Sequence, residues 1–252
     1  MIDLSHVTFN IPVRIDTQHR LENVSLIVDY LNHHFKTNII VCEEDKEKKL
    51  EHLSSKCIYH YIKSDNAHFH RTRILNMMAR MSPTPIIVNY DTDVLFKVSE
   101  YVNAANVINT NYGDVCFPYN GQFFDVPRSF YSTINQTKSL DCVNLSSCGL
   151  LSPSSVGGAI FWNKNKFIEI GMENENFKSW GFEDNERIAR CRKLGLRIIR
   201  TPDVLYHMAH DKSINSGPHS HFYWDNKNEC VKVESMSTED LKSYIKTWSW
   251  VN

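Results

Sequence analysis

Apolar residues along this chain follow two rhythms, one of period two and one near 3.6, and the rhythms take turns. Val7-Thr8-Phe9-Asn10-Ile11 alternates and ends at Pro12, which predicts a strand running into a loop. Between Arg20 and His34 the apolar positions are Leu21, Val24, Ile27, Val28 and Leu31, the spacing of a helix with one buried stripe. A β-branched run at 38–42 predicts a second strand, and Cys57-Ile58-Tyr59-His60-Tyr61-Ile62 a third. The charged stretch from Glu43 to Glu51 predicts a solvated helix. Residues 66–81 read as a helix carrying Ile74, Leu75, Met78 and Met81 on one face. Ile86-Ile87-Val88-Asn89-Tyr90 is apolar enough for a strand covered on both faces. It ends in Asp91-Thr92-Asp93 and is followed by a helical stretch to about residue 107. Strands alternating with helices imply an α/β layer with a mostly parallel sheet flanked by helices. In such sheets ligands sit beyond the carboxyl ends of the strands, where Asp91 and Asp93 stand.

The second half is less regular. Residues 114–124 predict one or two strands rich in aromatics, and 126–156, full of Ser, Thr and Asn, predict loop or acceptor-side structure. Order returns with a strand at 157–162, a helix at 164–170, a helix at 183–194 stopped by Gly195, and a strand at 196–200.

With 252 residues, 42% of them hydrophobic, the chain can bury one substantial core. Lys and Arg number 28 against 29 Asp and Glu, so the net charge of −1 gives no electrostatic case for nucleic acid or a charged membrane surface. Seven cysteines form no Cys-x-x-Cys pair, which predicts reduced, mostly buried thiols. No signal peptide is visible, and no run of about 18 apolar residues predicts a membrane span. Together these features predict a cytoplasmic protein.

Three constellations carry candidate chemistry. Asp91-Thr92-Asp93 places two carboxylates at a strand end, where they can hold a hard cation or cap a helix. Trp180-Gly181-Phe182-Glu183-Asp184-Asn185-Glu186 opens a helix with acidic residues. That composition suits the helix dipole, and it equally suits a base beside an aromatic that stacks on a sugar ring. His207-Met208-Ala209-His210 pairs two imidazoles at a spacing compatible with a metal.

In their order along residues 10–222, these pieces resemble the β-1,4-galactosyltransferase family and its bacterial glycosyltransferase relatives of the GT-A fold, of family 7 and family 2 type. Ile11-Pro12-Val13-Arg14 resembles the family's opening strand and loop near the nucleotide. Phe69-His70-Arg71-Thr72-Arg73-Ile74-Leu75-Asn76 is similar to its Phe-Asn-Arg-Ala-Lys-Leu-Leu-Asn segment, and Val156-Gly157-Gly158-Ala159 to its Gly-Gly strand. Residues 180–186 are similar to Trp-Gly-Gly-Glu-Asp-Asp-Asp, with Phe182 in place of the second Gly and Asn185 in place of an acid.

The resemblance implies one GT-A (Rossmann-like) domain, with residues 1–113 on the nucleotide side and 114–252 on the acceptor and catalytic side. It implies an inverting transfer from a UDP-sugar to a glycan hydroxyl. Asp184 would be the base and Glu183 a sugar contact. Pro12, Arg14, Asp16, Phe69, Arg71, Asp91, Asp93, Gly158 and Trp180 would bind the donor. Asp93, His210 and, more weakly, His207 would hold a cation, and such a mixed set suits Mn²⁺ better than Mg²⁺. Residues 211–222 resemble the loop that closes over the donor. Ser155 stands where galactose-specific members carry Tyr, which leaves room for an N-acetyl group and brings UDP-GalNAc beside UDP-Gal as a donor.

Two other readings use the same residues. A sugar-1-phosphate nucleotidyltransferase would carry a Gly-rich phosphate loop after the first strand, where this chain has Pro12-Val13-Arg14-Ile15-Asp16. A non-catalytic carbohydrate-binding protein could use the aromatics of 116–124, but has no need of Asp93, Asp184 and His210 together.

Overall fold

The computed structural model describes residues 1–211 and 221–251. In chain order its elements begin β1 (Ile2–Val13), α1 (Gln18–His34), β2 (Phe35–Asp45), β3 (Ile58–Lys63), α2 (Arg71–Met81), β4 (Ile86–Tyr90), β5 (Val94–Leu95) and α3 (Val98–Asn109). They continue with β6 (Val115–Phe117), β7 (Phe123–Val126), α4 (Tyr131–Thr137), β8 (Gly149–Ser152), β9 (Ala159–Asn163), α5 (Lys164–Glu169) and α6 (Glu183–Lys193). The chain closes through β10 (Ile198–Arg200), β11 (Leu205–Met208), α7 (Tyr223–Ser235) and α8 (Thr238–Ile245).

The main sheet has seven strands in the order β10-β6-β9-β4-β1-β2-β3. Neighbours run parallel except at β9, which is antiparallel to both β4 and β6. Alternation along β2 shows why both faces are apolar. Ile40 and Cys42 pack with Ile74 and Met78 of α2, while Ile39 and Val41 join the larger core with Val24, Ile27 and Leu31 of α1. All five residues of β4 are buried, as expected of a central strand between layers. Among the described residues no helix is long and apolar enough to cross a membrane.

A second, four-stranded sheet, β5-β11-β7-β8, was not legible in the sequence. Its strands are two to four residues long, too short for a period to show. The segment 126–156, expected as loop or acceptor-side structure, contains α4 and β8.

Other boundaries differ for identifiable reasons. Glu43, Glu44 and Asp45 do not begin a solvated helix; they end β2 and are buried. Their charges are met inside: Tyr59 Oη donates to Glu43 at 2.5 Å, Arg14 to Glu44 at 3.2 Å, and Lys49 Nζ to Asp45 at 2.8 Å. Only Glu51–Ser55 is helical, as a short 3-10 turn. The helix expected over 66–81 starts at Arg71, and the stretch after Asp93 forms β5 before α3 begins. The strand expected at 196–200 is confined to Ile198–Arg200. All seven cysteines are free.

Candidate active site

At the carboxyl ends of β1 and β4 the chain opens into a cleft of about 300 Å³. The structure brings all the residues singled out from the sequence to its walls: Pro12, Arg14, Asp16, Phe69, Arg71, Asp91, Asp93, Gly158, Trp180, Glu183, Asp184, His207 and His210, with Ser155 beside them.

Asp91 and Asp93 follow β4 directly, so the sheet itself aims them into the cleft. What carries His207 to Asp93 is the small sheet. β11 pairs antiparallel with β5 so that His207 stands opposite Val94, and Met208 N donates to Asp93 O at 2.7 Å. His207 lies inside β11. On its other side β11 runs parallel to β7, with His207 opposite Asp125, and His207 Nδ1 meets Asp125 Oδ1 at 2.7 Å. His210 Nδ1 is held by the Asp211 carbonyl at 2.7 Å. In both rings Nε2 is thereby left to face Asp93 Oδ2, at 3.0 Å from His210 and 4.0 Å from His207. One ligand atom from each of Asp93, His207 and His210 falls within 4.8 Å of the others. Two imidazoles oriented through their second nitrogens and one carboxylate make a donor set that fits a divalent cation. Burial opposes charge on Asp93, but the hydrogen bond to His210, with His207 and Arg20 nearby, holds its pKa below the usual carboxylate range.

Sequence reading missed two partners of this cluster. Arg20, on the first turn of α1, donates to Thr92 Oγ1 at 2.9 Å and Asp93 Oδ2 at 3.3 Å. Asp125 is the carboxylate behind His207. A lone Arg at a helix start and a lone Asp in a short strand carry no local motif, so only the fold could expose either.

The phosphate side centres on Arg71, at the start of α2. Its Nη2 donates to Asp91 Oδ1 at 2.5 Å, while Nη1 is buried without a hydrogen-bond partner among the described residues. Burial works against both charges; the pKa of Asp91 rises in spite of Arg71, and that of Arg71 rises because Asp91, Asp184 and Glu183 together outweigh burial. Arg14 lies 5.5 Å from the Phe69 ring centroid and spends its donors on protein: Nε on Glu44 O, Nη1 on Asn66 O and Nη2 on Glu44 Oε2.

The far wall is strapped to α2. Thr72 Oγ1 donates to Phe177 O, Asn76 Nδ2 to Glu173 O, and Ser179 N to Phe69 O. This places Trp180 at the rim, 40% exposed and stacked on Tyr223 of α7 with 11° between the ring planes. Phe182, in place of the second Gly, takes a left-handed conformation (φ 67°) and serves as N-cap of α6 without a side-chain cap. The first turn of α6 then offers Glu183, Asp184 and Glu186 to the helix dipole. Burial, then the Asp184 carboxylate, pushes the Glu183 carboxyl up to about 7. Asp184 Oδ1 accepts from Arg187 Nη1 at 2.6 Å. The closing loop expected at 211–222 falls largely on residues 212–220, outside those described; Asp211 and Phe222 lie at its ends.

Residues 140–212, which carry Ser155, the Gly-Gly strand, the 180–186 motif and both histidines, match the family model described as the N-terminal domain of galactosyltransferase. This segment is similar to that family, and the fold as a whole is similar to that of solved GT-A-type glycosyltransferases.

Among solved structures, the catalytic domain of Drosophila β1,4-galactosyltransferase 7 with xylobiose is similar at TM-score 0.53 and 15% identity, over 95% of this chain and 84% of that one. Residues 1–349 of S. aureus TarS with UDP-GlcNAc are similar at TM-score 0.59 and 11% identity, over 95% of this chain and 70% of that one. A mutant of the fly enzyme, in complex with manganese, UDP-Gal and xylobiose, is similar at TM-score 0.51 and 15% identity, over 88% and 80%. No curated protein matches the sequence.

Proposed function

We propose that this chain is an inverting, divalent-cation-dependent glycosyltransferase that moves a hexose or N-acetylhexosamine, Gal or GalNAc above others, from a UDP-sugar to a glycan hydroxyl. The observation that carries this reading is the meeting in one cleft of the Asp93–His207–His210 cluster and the Asp184 carboxylate. The neighbours' complexes with manganese, UDP-Gal, UDP-GlcNAc and xylobiose support it.

Transfer breaks the bond from the anomeric carbon to the diphosphate and forms one to the acceptor oxygen, while the acceptor's proton leaves. Asp93, His207 and His210 would hold Mn²⁺, which neutralises charge on the departing diphosphate. The unpartnered Nη1 of Arg71 gives the same phosphates a charge-assisted donor. Asp184 takes the proton of the attacking hydroxyl from the opposite wall. Attack on the face away from the leaving group inverts the anomeric centre, so an α-linked donor gives a β-linked product. Trp180 covers the sugar and keeps water from it. Residues 1–113 supply the nucleotide side of the cleft and 114–252 the base and both histidines.

The test is a screen of UDP-Gal, UDP-GalNAc, UDP-Glc and UDP-GlcNAc for Mn²⁺-dependent UDP release, run beside Asp184→Asn. We expect release from at least one donor, and a fall of about 100-fold or more in turnover for Asp184→Asn with UDP affinity retained. Undiminished turnover in that variant removes Asp184 from the base role.

A further inference from the structure

We propose that Arg187, backed by Glu173 and Asn89, is a positioning residue that fixes the Asp184 carboxylate for proton transfer; this rests on Asp184 acting as the base. Arg187 lies on α6 three residues after Asp184 and is only 1% exposed. Its Nη1 donates to Asp184 Oδ1 at 2.6 Å and its Nε to Glu173 Oε2 at 2.8 Å. Glu173, equally buried, is itself fixed from two sides. Asn89 Nδ2, on the central strand β4, donates to Glu173 Oε1 at 2.6 Å. The Asn76 side chain of α2 brackets the Glu173 backbone, accepting from its N at 2.8 Å and donating to its O at 2.9 Å. The order of support therefore runs from the sheet and α2 to Glu173, from Glu173 to Arg187, and from Arg187 to Asp184.

The opposite side of Asp184 is bounded as closely. A Cβ on Gly157 would lie 2.4 Å from Asp184 Oδ2, so this oxygen rests over bare backbone. That backbone is pinned in turn, because Tyr119 Oη donates to Gly157 O at 2.6 Å. With one oxygen held by a cation and the other against a glycine, the carboxylate has little rotational freedom. The 29% of its surface still exposed belongs to a residue lining the cleft. Burying an Arg between two carboxylates is a weak way to gain stability, and Arg187 Nη2 is besides buried without a hydrogen-bond partner among the described residues. A purely structural pair gives no reason for that expense, whereas holding a base within a fraction of an ångström of its substrate does.

The experiment measures kcat, affinity for UDP with Mn²⁺, and thermal stability for three variants: Arg187→Lys, the charge-balanced double substitution Arg187→Met with Glu173→Gln, and Gly157→Ala. Each is made in the wild-type and the Asp184→Asn backgrounds. The double substitution avoids leaving a buried carboxylate unpaired and so guards against simple unfolding. On the wild-type background kcat falls about 10- to 100-fold in the double substitution and in Gly157→Ala. In the Arg187 variants UDP affinity stays within about twofold, and Arg187→Lys, which keeps the charge but loses the fork, recovers part of the loss. On the Asp184→Asn background the same changes lower kcat no further, since the group they position is gone. A folded double variant with full kcat, beside an inactive Asp184→Asn, overturns the positioning role alone. A loss that repeats undiminished on the Asp184→Asn background overturns it too. Full turnover by Asp184→Asn itself sinks the base assignment and the proposal with it.

Discussion

Two side chains within the cleft make opposite demands on their surroundings. His210 turns its Nε2 toward Asp93 Oδ2, at 3.0 Å, because Nδ1 is committed to the Asp211 carbonyl. Ser155 matters for what it does not fill. It lines the cleft two residues before Gly157, with its Oγ turned to accept from Gly157 N at 3.3 Å. Replacing His210 by Ala removes one of the three proposed ligands, and the Mn²⁺ concentration giving half-maximal UDP release should rise about 10-fold or more; an unaltered Mn²⁺ requirement would strike His210 from the ligand set. For Ser155→Tyr, a ring placed against the sugar should lower the ratio of UDP-GalNAc to UDP-Gal turnover by about 10-fold or more. An equal ratio before and after the substitution would dispose of the steric argument.

Among the elements, the decisive pairing is that of the two short strands β5 and β11. It rests on backbone bonds across very few residues, and on one close approach. Gly158 has φ +84°, and a Cβ there would come within 2.5 Å of Leu205 Cδ1 at the start of β11. Its carbonyl also accepts from Asp91 N at 2.8 Å. Gly158→Ala therefore meets backbone strain and a clash together, and should cost about 1–3 kcal/mol. The displaced strand is the one carrying His207, so the Mn²⁺ requirement should rise along with the loss of stability. Thermal melts and Mn²⁺ titrations of the variant check both halves; unchanged Mn²⁺ dependence in a destabilised protein would uncouple β11 from the cation site.

At the scale of the whole molecule, the cleft is built from charges that the fold holds at some expense. Glu183 has its pKa raised from 4.5 to about 7 in the folded chain. Below pH 4.5 both folded and unfolded chains carry the proton, and its contribution to stability is fully present. As the pH rises to 7 the unfolded chain ionises first, so that contribution is lost through this window. The wild type should lose melting temperature relative to Glu183→Gln between pH 5 and 7.5, measured without cation or donor. A constant difference across that range would mean that Glu183 ionises normally.

How far the sequence alone reached can be read from particular residues. The β1 to β4 alternation with α1 and α2, the strand-end placement of Asp91 and Asp93, and the helix opening at Glu183 all follow from local spacing of apolar and acidic side chains, which the chain carries wherever it folds. The buried end of β2 did not, because Glu43, Glu44 and Asp45 read as solvated until Tyr59, Arg14 and Lys49 arrive from elsewhere to meet them. The same holds for Arg20 and Asp125 at the cation cluster and for Arg187 behind Asp184. Their roles come from partners tens of residues away or from a buried environment, and those exist only once the two sheets have formed. Sequence thus named the residues proposed to bear the chemistry. Tertiary structure decided which atoms of those residues face one another, because hydrogen bonds across β5, β11 and β7 set distances that no spacing along the chain encodes.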